Sequence, residues 1–161
     1  MIQSWCRCGL AALILLGIGV QSHAAQTRPT YPTAVGVEAL GRAASYSFFV
    51  DRMLDENLAA GVGYGGGPIS MVPVYANYYL SAEQASLYLT AAASLVLDLD
   101  QVRGRVTSAG DWVVNDSVIP VVGLGYENRS DQGALFRVAG YGAYANATLK
   151  PWVGVSLGYA F

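Results

Sequence analysis

From Leu87 onward the chain alternates with a period of two. Leu87, Leu89, Ala91, Ala93, Leu95, Leu97 and Leu99 occupy one parity, and Tyr88, Thr90, Ala92, Ser94, Val96, Asp98 and Asp100 the other. A helix would space its leucines by three and four, so this pattern specifies a strand with one apolar face. The split recurs along most of the chain. Leu58, Ala60, Val62 and Tyr64 oppose Ala59, Gly61, Gly63 and Gly65. Val118, Pro120, Val122, Leu124 and Tyr126 oppose Ile119, Val121, Gly123, Gly125 and Glu127. Val153, Val155, Leu157, Tyr159 and Phe161 oppose Trp152, Gly154, Ser156, Gly158 and Ala160. Further strands are predicted over 43–53, 69–80 and 134–144.

These strands run about ten residues, the length that crosses a bilayer when tilted. Their apolar faces often end in tyrosine or phenylalanine, where an interfacial girdle would lie. The opposite faces are small and poor in charge, unlike the solvent face of a soluble sandwich. They read as the lining of a narrow barrel whose Leu/Val/aromatic face meets lipid. Hydrophobic residues make up 53% of the chain, and this geometry accommodates them better than a soluble β-sandwich or barrel would, while no stretch after residue 24 reads as a spanning helix. The longest uncharged run, 57–82, is interrupted by Gly65-Gly66-Gly67-Pro68 and Pro73.

Residues 1–24 read as a cleaved secretory signal: Arg7, an apolar stretch from Gly9 to Val20, then Ser22-His23-Ala24 at a cleavage site. Both cysteines, Cys6 and Cys8, and the single histidine, His23, fall inside it. The exported portion therefore has neither thiol nor imidazole. Residues 25–32 form a short N-terminal segment, and 33–161 a single all-β domain. Nine basic against eleven acidic residues exclude the basic face that nucleic acid requires.

The joints fall at 55–57, 66–68, 81–86, 100–117, 128–133 and 145–151. The longest, 100–117, alternates with short ones, as in up-and-down barrels whose long loops share one side. This accounting gives seven strands. A closed single-chain barrel usually has an even number, and lipid permits no open edge, so the eighth is assigned to Thr33–Leu40. The expected architecture is a single antiparallel up-and-down transmembrane β-barrel of eight strands.

Val153, Val155, Leu157, Tyr159 and the terminal Phe161 resemble the C-terminal signature of bacterial outer-membrane β-barrel proteins. The wider strand pattern is similar to the small, eight-stranded members of that group and singles out no subfamily. The resemblance implies a Gram-negative outer membrane, contact with lipid and lipopolysaccharide, and recognition of the tail by the barrel-assembly machinery.

Motifs for chemistry match only on paper. Gly154-Val155-Ser156-Leu157-Gly158 fits G-x-S-x-G, but a nucleophile elbow needs a strand-to-helix turn with a histidine and an acid later in the chain. Gly61-Val62-Gly63-Tyr64-Gly65-Gly66 fits G-x-G-x-x-G, yet Gly67-Pro68 and another strand follow where a helix is required. Those glycines are expected to leave room for inward side chains such as Tyr75 or Phe49. Asp98 and Asp100 are too few for a cation site and read as a solvated rim. The N-x-S/T matches at Asn115, Asn128 and Asn146 sit in loops. Glu127 and Arg137 are predicted to form an inward ion pair, about two positions apart on the diagonal.

No cofactor, metal or catalytic residue is expected. The functional expectation is a monomeric membrane barrel with a side-chain-filled lumen and a structural, surface-contact or adhesion role. A small-solute channel and a soluble periplasmic ligand carrier are the alternatives. Tyr75, Tyr79, Tyr88, Phe49, Trp152 and Arg137 are assigned to the interior, which argues against a wide pore.

Overall fold

The computed structural model describes residues 30–43, 45–66, 69–97, 106–107, 110–113, 116–145 and 148–161. The proposed signal, Asp98, Asp100, Asn115 and Asn146 lie outside the described residues. Among the described residues ten strands follow one another: β1 (Thr33–Ala39), β2 (Tyr46–Met53), β3 (Leu58–Gly66), β4 (Met71–Tyr79), β5 (Ala85–Val96), β6 (Val106–Thr107), β7 (Gly110–Val113), β8 (Val118–Arg129), β9 (Ala134–Ala145) and β10 (Thr148–Ala160). Eight of them close an antiparallel barrel in the circular order β1-β10-β9-β8-β5-β4-β3-β2. The remaining two, β6 and β7, pair only with each other within the long β5–β8 connection, a small hairpin that the period-two reading did not anticipate.

The registers accumulate an offset of about ten residues around the eight strands, which tilts them by about 43° and leaves an interior only wide enough for side chains. The alternation in the sequence becomes an inside–outside alternation. Val37, Phe48, Val62, Val74, Leu89, Leu124 and Leu157 stand exposed on the outer wall, and Phe49, Tyr75, Tyr79, Tyr88 and Tyr141 are buried inside. Trp152 is half-buried and packs against the inner cluster.

Inward glycines are seats for these rings. Gly36, Gly61, Gly123 and Gly125 lie directly across the ladder from Phe49, Tyr75, Tyr141 and Tyr88. A Cβ on Gly61 would meet the Tyr75 ring at 2.5 Å, and one on Gly125 would meet the Tyr88 ring at 2.5 Å. Each large residue thus lies over a position with no side chain, which is how a narrow barrel fills without strain.

Several boundaries differ from expectation for identifiable reasons. The last strand begins at Thr148, inside the expected 145–151 joint, so Pro151 lies within β10. Odd residues of β10 direct their backbone groups toward β1, as Phe161 does with Thr33, so the missing N–H of Pro151 faces away from β9 and costs that ladder nothing. Pro73 has the opposite effect: facing β3, it interrupts the β3–β4 pairing between Val62↔Val74 and Gly65↔Met71. The second strand begins at Tyr46 instead of 43, because residues 40–43 fold inward. Leu40 takes a left-handed conformation (φ 52°), and Gly41, Arg42 and Ala43 are buried.

Candidate functional site

The inner face concentrates the charge. Glu38, Arg42, Asp51, Glu127, Arg129 and Arg137 are all essentially inaccessible to solvent, three carboxylates against three guanidiniums. Their charges cancel, which is the condition for holding ions in a low-dielectric interior.

The first group lies toward the short-turn end. Tight turning at Ser130–Ala134, with Gly133 in the left-handed region (φ 92°), sets the β8–β9 register. That register places Glu127 directly opposite Arg137, not two positions away on the diagonal. Arg137 Nε donates to Glu127 Oε2, and Tyr79 OH donates to the same oxygen at 2.7 Å. Arg129 Nε donates to Glu127 Oε1 at 2.7 Å and its Nη1 reaches the Tyr31 carbonyl at 2.7 Å. Arg137 Nη1 also lies 2.7 Å from Asp51 Oδ2, an ion pair without hydrogen-bond alignment. Asp51 Oδ2 accepts a further bond from Tyr75 OH at 3.1 Å. The Phe49 ring lies 5.0 Å from the guanidinium carbon of Arg137.

The second group closes the end that carries the long connection. Arg42, reaching down from the turned-in segment, bonds Glu38 Oε1 (3.2 Å), Asn77 Oδ1 (3.1 Å) and Thr90 Oγ1 (3.4 Å). Its guanidinium carbon sits 3.9 Å from the Tyr75 ring centroid, a stacking contact suited to a planar cation. Glu38 also accepts from the Arg42 amide (2.9 Å), Tyr141 OH (2.7 Å) and Ser156 Oγ (3.2 Å). Ser94 Oγ and Trp152 Nε1 donate to the carbonyls of Arg42 and Gly41. Five strands and the turn therefore converge on one ion pair.

Of the residues singled out from sequence, Glu127 and Arg137 meet, and Tyr75, Tyr79, Tyr88 and Phe49 surround the charges. Ser156 is a buried inward hydroxyl bonded to Glu38. Val153, Val155, Leu157, Tyr159 and Phe161 all lie exposed on the outer wall of β10. Glu38, Asp51 and Arg129 were not singled out, although each is a charge at the inward parity of its strand. Arg42 had no such signal, because it comes from a turn. Among the described residues no group of three or more His, Cys, Asp or Glu is placed to hold a metal ion.

No protein-family model matches the chain, and no curated protein matches it. Among solved structures it is similar to the solution NMR structure of the de novo designed TMB2.3, with a TM-score of 0.51 and 12% identity over 81% of this chain and 94% of that one. At that identity the likeness concerns the fold: an eight-strand antiparallel barrel resembling a designed transmembrane β-barrel.

Proposed function

We propose that the protein is an integral outer-membrane barrel with a plugged, non-conducting lumen. Its role would be structural or one of surface contact, with adhesion the most specific form. The observation that carries this is the inverted polarity of the wall. Large apolar residues stand exposed on all eight barrel strands, while six ions are sealed inside. In water this arrangement would leave the hydrophobic wall exposed, which is unfavourable; in lipid the wall meets a matching solvent, while the ions, paired with one another inside, are kept out of the hydrocarbon. Bilayer lipid and lipopolysaccharide would contact the wall, the barrel-assembly machinery would act on β10, and the folded unit would be a monomer.

The two ion clusters and the turned-in Arg42 favour scaffold over channel, since the side chains cross the bore at two levels. The test is membrane fractionation with gel mobility before and after heating, followed by planar-bilayer recording. Recovery in the outer membrane with a heat-dependent shift and no steady conductance supports the proposal. A soluble periplasmic product would favour a ligand carrier, and discrete conductance steps would favour a small-solute channel.

A further inference from the structure

The barrel wall is not equally tall all round. At 3.3 Å per residue and a tilt of about 43°, β10 with 13 residues and β5, β8 and β9 with 12 rise about 29–31 Å. On the same reckoning β1 with 7 residues, β2 with 8, and β3 and β4 with 9 rise only about 17–22 Å. The apolar band of a barrel in an outer membrane is about 25 Å tall, so one side overspans it and the other falls short. The step is concentrated at one seam. β10 pairs β9 from Thr148 to Tyr159, but pairs β1 only from Val155 to Ala160. Among the described residues no strand pairs the backbone groups that Leu149, Pro151 and Val153 direct to the other edge, and the turn at Leu40–Gly41 ends level with Gly154.

Such an edge in hydrocarbon is forbidden, since its N–H and C=O groups would be unsatisfied. The sequence of that edge argues against strand addition. Pro151 removes the donor on the free side, and Lys150 stands half-exposed beside it, the two residue types that blunt edge strands. We propose that this notch docks the headgroup layer of the bilayer. Headgroups and water descend beside β1 and β2, the membrane thins there, and the free backbone of Leu149, Pro151 and Val153 is hydrated. The exposed Tyr46 and Tyr64, at the tops of β2 and β3, would mark the lowered interface.

This inference rests on the membrane reading above, and the experiment separates the two. Isotope-labelled protein is inserted into phosphatidylcholine nanodiscs, heat-modifiable mobility is confirmed, and amide exchange is followed by NMR. The Val153 amide is expected to exchange about 100-fold or more faster than that of Val155, which has the same parity but is paired to β1. Pro151→Ala adds an amide on the same edge, expected to exchange as fast as Val153. A headgroup-attached spin label should broaden Val153 and Tyr46, and a chain-attached label should not. Loss of heat-modifiable insertion would overturn the membrane reading and the notch with it. An inserted barrel with a protected Val153 amide, meaning an edge covered by another strand, would overturn the notch alone. Unequal headgroup broadening of Leu80 and Phe161 at the short-turn end would also overturn it, in favour of a tilted barrel in an unthinned bilayer.

Discussion

Replacing Arg137 by methionine keeps most of the side-chain volume and removes a charge shared by two carboxylates. Glu127 would retain Arg129 and the Tyr79 hydroxyl. Asp51 would retain only the Tyr75 hydroxyl at 3.1 Å and would become a buried anion with no cation. Breaking one member of a buried pair costs about 3–5 kcal/mol, most of it the penalty of the stranded partner. The expected loss lies in that range, about 3 kcal/mol or more. The geometry also says which second change should rescue it. Asp51→Asn neutralises the stranded anion and should restore about half of the loss, whereas Glu127→Gln should restore little, since it removes the carboxylate charge paired with Arg129 and leaves Asp51 stranded. The measurement is equilibrium urea unfolding in lipid vesicles, with the heat-modifiable folded band as readout. Loss of less than about 1 kcal/mol in the single variant, or stronger rescue by Glu127→Gln than by Asp51→Asn, would refute the assignment of Arg137 as the shared counter-ion.

Outward charges should act by depth: Leu124→Arg, near the middle of β8, is expected to cost about 2–4 kcal/mol, and Leu95→Arg, at the last β5–β8 pair, about 1 kcal/mol or less, in the same unfolding assay. Gly125→Ala places a methyl against the Tyr88 ring and should cost about 1–3 kcal/mol, with Tyr88 fluorescence or NMR reporting a displaced ring. Glu38→Ala releases the turned-in segment, so trypsin should cut after Arg42 in the inserted variant while leaving the parent intact there. Phe161→Ala should lower the yield of assembled barrel in cells and leave refolding from urea into vesicles unchanged, because its exposed ring makes no interior contact.

Fold class was legible because a barrel wall has one periodicity and two environments. Alternation in Leu87–Leu97 states both that the segment is a strand and which side it turns outward, with no knowledge of its neighbours. Glycine at inward positions likewise announced a narrow bore. Register is different in kind: it depends on turn geometry at each hairpin, and the turn at 130–133 moved Arg137 from a diagonal to a direct partner of Glu127. Proline illustrates the same division. Pro73 and Pro151 look alike in the sequence, yet one interrupts a ladder and the other leaves its β9 ladder intact, because the side to which the missing N–H points is set by pairing.

The charge network was the least legible part. Parity alone places Glu38, Asp51 and Arg129 inside, but Asp51 on β2 meets Arg137 on β9, and Glu38 on β1 meets Tyr141 on β9, only after the barrel has closed. Arg42 lies in a turn, where period two carries no information, and its descent into the bore requires the left-handed Leu40, the space at Gly41 and the Glu38 carboxylate together. So the sequence by itself determined strand, face and the inverted polarity of the wall, all of them local properties of alternating side chains. The tertiary structure alone decided which ions meet and where the bore is closed, because those follow from closure and accumulated register, which no single segment contains.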